Sequence, residues 1–142
     1  MKIVINDCYG GFGLSPKAEV EYIKRKLGKK AFFYESHYSK NHTKSIYTKI
    51  SLSLAEKAFC PHVVTKDLGA SPTSEEMNEY YFSEGDIDRA DPILIQIVEE
   101  LGKKANGQCA ELKIVEIPDG IRWVISEYDG IERVEEEHRS WC

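Results

Sequence analysis

The chain has 142 residues, 42% of them hydrophobic and 30% charged, with a net charge of -5. That is the length of one domain with enough chain for a core. No run of 18 apolar residues exists, so no membrane span is expected. A sequence pI near 5.4 disfavours nucleic acid as a partner.

The first fifteen residues organise the reading. Ile3-Val4-Ile5 reads as a buried strand that breaks at Asn6-Asp7 into Cys8-Tyr9-Gly10-Gly11-Phe12-Gly13. The stretch before the strand ends lacks the apolar region and cleavage site of a signal peptide, so no signal peptide is expected. Ser15 caps a helix whose first residue is Pro16. A strand, a glycine turn and a helix start can bind an anion through backbone N–H groups. The glycine spacing matches neither nucleotide-enzyme fingerprint. Two readings stay open. Gly10, Gly11 and Gly13 serve tight packing, or they let N–H groups approach a phosphate with Tyr9 and Phe12 flanking a flat ligand.

Val20, Ile23 and Leu27 recur at helical spacing, and Gly28 ends the helix. Lys17, Lys24, Arg25 and Lys26 read as its solvated face. Ala31 to Tyr34 reads as a strand and 37–44 as a polar loop or hairpin tip. Ile46 to Leu54 alternates as a strand with Tyr47 and Lys49 on the solvated side, and Phe59 to Lys66 reads as its partner. Thr73 to Glu76 is a helix start, and Tyr80-Tyr81-Phe82 an edge strand or surface loop. Asp91-Pro92 opens a helix that is apolar almost all round, which predicts a central position or a subunit contact. Leu112–Ile117, Ile121–Ser126 and Ile131–Glu135 are separated by Asp119-Gly120 and Asp129-Gly130, the signature of a three-stranded meander. The expected fold is therefore α+β: an antiparallel or mixed sheet, two principal helices and a C-terminal three-stranded meander. It forms a single domain over 1–142 with an irregular basic insertion about 37–66.

Cys8, Cys60, Cys109 and Cys142 are scattered, with no C-x-x-C pair, so free thiols are expected. Cys60-Pro61-His62 has no second half, so no metal is expected. His37, His42 and His62 have no evident orienting partner, and no cofactor or catalytic residue is assigned. Residues 1–66 hold 12 Lys+Arg and 5 Asp+Glu, whereas residues 67–142 hold 7 and 19. Such a split suits an anionic ligand, pairing of basic and acidic subunit faces in a homo-oligomer, or internal neutralisation.

The opening MKIVINDCYGGFGLS resembles a group of small, mostly uncharacterised tailed-bacteriophage proteins. Ile87 to Pro92, Val98 to Gly102, Glu127 to Gly130 and the late Trp141 fit the same group, whereas Gly28 to Glu84 does not. The resemblance implies work in the host cytoplasm, where small phage proteins often blunt defence, some by sequestering nucleotide signals. The expectation is a non-enzymatic sponge for a nucleotide second messenger, of cyclic oligonucleotide or cyclic ADP-ribose type. Its ligand-binding residues are Asn6, Asp7, Tyr9, Gly10, Gly11, Phe12, Gly13, Lys40, Lys44 and Lys49. The alternatives are a protein-binding inhibitor of a host factor, or a phage accessory protein of metabolism or assembly.

Overall fold

Capping chemistry sets the helix starts. Ser15 Oγ accepts from the Ala18 N–H at 3.2 Å and opens α1, Pro16–Tyr22, with Pro16 where no intrahelical N–H is needed. The helix continues as a π-turn, Ile23–Leu27, and ends at Gly28 with φ +64°. Ser51 caps α2, Leu52–Lys57. Thr73 and Glu76 form a reciprocal capping box on α3, Ser74–Tyr80. Asp91 Oδ1 accepts from the Ile93 N–H at 2.9 Å at the start of α4, Pro92–Leu101. The strands are β1, Lys2–Asn6; β2, Phe32–Tyr38; β3, Ser45–Ile50; β4, His62–Val64; β5, Leu112–Glu116; β6, Trp123–Tyr128; and β7, Ile131–Glu136. This computed structural model describes residues 1–40 and 44–137. His42, Trp141 and Cys142 lie outside them.

The fold is α+β with antiparallel pairing throughout the described strands. The chain divides into two compact units, one made of Met1–Leu14 with Gly85–Cys142 and the other of Ser15–Glu84.

The Ser15–Glu84 unit is built on the strand order β3-β2-β4. Alternation along β2 sends Phe33 to one face and Tyr34 to the other. Phe33 and Val63 meet Ile23 of the π-turn and Ala55 of α2, with Val20 and Ile50 packed around them. Tyr34 and Val64 meet Met77 of α3, with Phe32, Tyr47 and Tyr80 at the edge. The sheet is thus covered on both faces. Buried Tyr34 also organises the 67–70 turn: its hydroxyl donates to Gly69 O at 2.9 Å and accepts from Leu68 N at 3.1 Å.

In the other unit β1 pairs with β5, and β6 with β7. Ile3, Val4 and Ile5 of β1 and Leu94, Ile97 and Val98 of α4 are buried. Gln96, Glu99 and Glu100 stay exposed, so α4 has one buried side and one wet side.

Several sequence expectations need correction. The C-terminal meander is a two-stranded hairpin, because β5 pairs with β1 and leaves β6 and β7 joined at Asp129-Gly130. The alternation over Ile46–Leu54 is only half strand, because Ser51 caps Leu54 N and turns the rest into α2. Within β3 the wet and dry sides are also exchanged in part: Ile46 is exposed and Tyr47 is half-buried. β4 pairs with β2 rather than with β3. Tyr80 ends α3, and Tyr81 makes an isolated bridge to Val64.

Candidate functional site

The glycine turn is a packed corner. Gly10 has φ +124° and Gly11 φ +98°, backbone that side-chain-bearing residues rarely adopt. The Gly10 N–H donates to Asp129 O at 3.3 Å. A Cβ on Gly130 would run into the backbone nitrogens of Gly10 and Gly11, and one on Gly10 would meet Cys109 Cβ at 2.7 Å. Gly13 O accepts from Gly107 N at 2.9 Å, with no room for a Cβ on Gly107.

The polar residues of this stretch are occupied in the same way. Asn6 is fully buried. Its amide donates to Cys8 O and Gly130 O, both at 2.7 Å, and its Oδ1 accepts from Glu111 N at 2.8 Å. Its backbone N–H donates to Glu132 Oε1 at 2.9 Å. Arg89 grips the same Glu132 with both terminal nitrogens, at 2.6 and 3.0 Å. The Phe12 ring lies 3.5 Å from the Arg89 guanidinium carbon, so one face of that ring is taken. Asp7 is exposed and gives its N–H to Glu111 O; Tyr9 is 65% exposed.

The three lysines expected beside these residues belong to the Ser15–Glu84 unit. Lys40 and Lys44 lie in the connection between β2 and β3, and of the three Lys49 lines a groove.

That groove is the candidate site. It measures about 680 Å³ and lies where the end of the α1 π-turn meets the start of β2 and the end of β3. Val20, Ala31, Phe32, Phe33, Ile50 and Leu52 supply its apolar surface, and Lys24, Lys29, Lys30 and Lys49 its charge. The volume is that of a small-molecule site. Local sequence explains the combination. Gly28 stops the helix in a left-handed residue, Lys29 and Lys30 cross the gap, and β2 begins on two phenylalanines. Lys24, Lys29 and Lys30 are exposed and make no ion pair with any described residue. Lys49 differs: its Nζ lies 2.8 Å from Asp67 Oδ1 and 5.1 Å from the Phe32 ring centroid. The carboxylate holds the Lys49 ammonium above its ordinary pKa and is itself held below the usual carboxylate range.

In sequence Lys24 reads as solvated, and Lys29, Lys30, Phe32 and Phe33 are not among the expected site residues. The available signal was a basic run, Lys24-Arg25-Lys26-Leu27-Gly28-Lys29-Lys30, abutting Phe32-Phe33.

Glu19, 6% exposed in the first turn of α1, hydrogen-bonds to Glu84. Burial first, and the Glu84 charge second, push the Glu19 carboxyl up to about 10, so it is protonated at neutral pH. Burial first, and the charges of Glu84 and Glu19 after it, raise the Tyr81 pKa. The histidines form no cluster among the described residues: His37 is exposed in β2, and half-buried His62 bonds Ser36 Oγ at 3.0 Å. Burial lowers the His62 pKa. Cys8 and Cys109 are free thiols.

No helix among the described residues is long and apolar enough to cross a membrane. Comparison with protein-family models, with curated proteins and with solved structures found no match to this chain.

Proposed function

We propose that the protein binds a small polyanion with a flat apolar part, a nucleotide of second-messenger type, and holds it in the groove without cleaving it. The observation that carries this reading is the ring of Lys24, Lys29, Lys30 and Lys49 around an apolar surface containing Phe32 and Phe33. Ammonium groups match phosphate oxygens, and the half-buried Phe32 ring offers apolar surface for a base, while buried Phe33 backs the groove from the core. Three of the four lysines make no ion pair among the described residues, so their charge is available to an incoming anion. The likeness of the chain ends to phage proteins makes sequestration of a host defence signal the particular purpose of such binding. The site then differs from the expectation over Asn6–Gly13: the anion is held by side-chain ammonium groups rather than by N–H groups of the glycine turn.

The test is calorimetric titration with cyclic di- and trinucleotides and cyclic ADP-ribose isomers. Wild type binds one class, and Lys29→Glu/Lys30→Glu weakens it at least about tenfold, the effect of losing two charge-assisted contacts. The ligand is recovered unmodified after denaturation. Absence of binding, or binding unchanged in the double variant, contradicts the proposal.

A second reading rests on charge. The Met1–Leu14 and Gly85–Cys142 unit carries 8 Lys+Arg against 15 Asp+Glu, whereas the Ser15–Glu84 unit carries 11 against 9. An acidic unit of that kind suits docking on a basic host protein, or pairing with a second copy of this chain.

A further inference from the structure

We propose that Asp67 is a built-in competitor for the groove, a carboxylate that occupies Lys49 until a ligand phosphate takes its place. This inference rests on the groove reading and adds a regulating residue to it.

The geometry has three parts. Lys49 is paired with Tyr34 across β2 and β3 and lines the groove beside Phe32. Its ammonium is tied to Asp67 at 2.8 Å, and in that position it also sits 5.1 Å from the Phe32 ring centroid. Asp67 is held in place from behind. Its Oδ1 accepts from Gly69 N at 3.0 Å, Tyr34 bonds both Leu68 N and Gly69 O, and Ala70 O accepts from Lys49 N at 3.2 Å. The turn is therefore fixed by a buried tyrosine, while the ion pair it presents is open, with side chains 37% and 51% exposed.

An exposed single-contact pair adds little to stability. It is readily exchanged for a ligand that carries two or more phosphates, whose total charge and number of acceptor oxygens exceed those of one carboxylate. The exchange has two consequences. Lys49 swings from Asp67 toward the anion, so the Phe32 face becomes free for a base. The groove also discriminates by charge, because a monoanion replaces Asp67 with no gain whereas a polyanion gains. Lys24, Lys29 and Lys30 have no such competitor among the described residues, so Lys49 alone carries this threshold.

The experiment titrates wild type, Asp67→Asn, Lys49→Gln and the double variant with cyclic di-AMP and with inorganic pyrophosphate. Asparagine keeps an acceptor for Gly69 N, and Asp67→Ser is carried as a second replacement. Thermal melts confirm folding. Asp67→Asn tightens pyrophosphate binding about three- to fivefold, the range an exposed ion pair allows, and the gain vanishes in the Lys49→Gln background. If Lys49→Gln weakens binding but Asp67→Asn and Asp67→Ser leave it unchanged, the competitor role is overturned and the groove reading stands. If neither probe binds any variant, the groove reading falls and this inference falls with it.

Discussion

Two single residues carry opposite lessons. Glu19 is an ionisable group on the dry side of α1, one turn before buried Tyr22 and Ile23. Its folded pKa of about 10 stands above the ordinary carboxyl value, so the folded chain keeps a proton that the unfolded chain releases. The favourable contribution is complete below the unfolded pKa and is lost as pH rises from about 4.5 toward 10. Denaturant melts across that range therefore show stability falling with pH, by at most about 1.4 kcal/mol per unit from this group. Glu19→Gln flattens the slope, and an unchanged slope contradicts the shared-proton arrangement. Gly130 is the reverse case, a residue that matters for what it lacks. With φ +91° and the Gly10 and Gly11 nitrogens where a Cβ would stand, Gly130→Ala costs roughly 3 kcal/mol, measured as a drop in unfolding free energy.

At the scale of elements, local chemistry was legible and partner choice was not. Ser15-Pro16, Thr73 with Glu76, and Asp91-Pro92 each place a helix start within a few bonds of the signal, and all three form as read. Asp91→Ala removes the acceptor for Ile93 N and lowers stability by about 1 kcal/mol in thermal or denaturant unfolding. Asp129-Gly130 likewise joins β6 to β7, with Asp129 at φ +49°. Asp119-Gly120 carries the same dipeptide, yet β5 goes to β1, more than a hundred residues away in sequence. A turn signal reports only its own few residues; it is silent about a buried apolar strand such as Ile3-Val4-Ile5 that competes for the same edge. The Ser51–Leu54 stretch shows a different limit. Leu52 and Leu54 alternate with serines as a strand would, and only the Ser51 cap distinguishes the helix.

At the scale of the whole molecule, the charge split in sequence became a difference between two units. The more basic unit contains a groove that concentrates lysine around phenylalanine. Of the ten residues expected to form a site, the seven from Asn6 to Gly13 lie in one unit and the three lysines in the other. Lys49 is the one that lines the groove. The glycine turn was conspicuous in sequence because glycine marks any close backbone approach, to a phosphate or to another turn. Here Gly130, Cys109 and Gly107 make that approach. The groove was inconspicuous because its lysines come from a helix end, a connector and a strand that only folding brings together.

The central claim is that the anion sits among Lys24, Lys29, Lys30 and Lys49. Amide chemical-shift mapping during titration with a bound cyclic nucleotide tests it most directly. The account predicts perturbations concentrated at Lys24–Phe33 and Lys49–Leu52, with Gly10, Gly11 and Gly13 unmoved. Perturbations centred on Gly10 to Gly13, or none with any nucleotide in the panel, would contradict it.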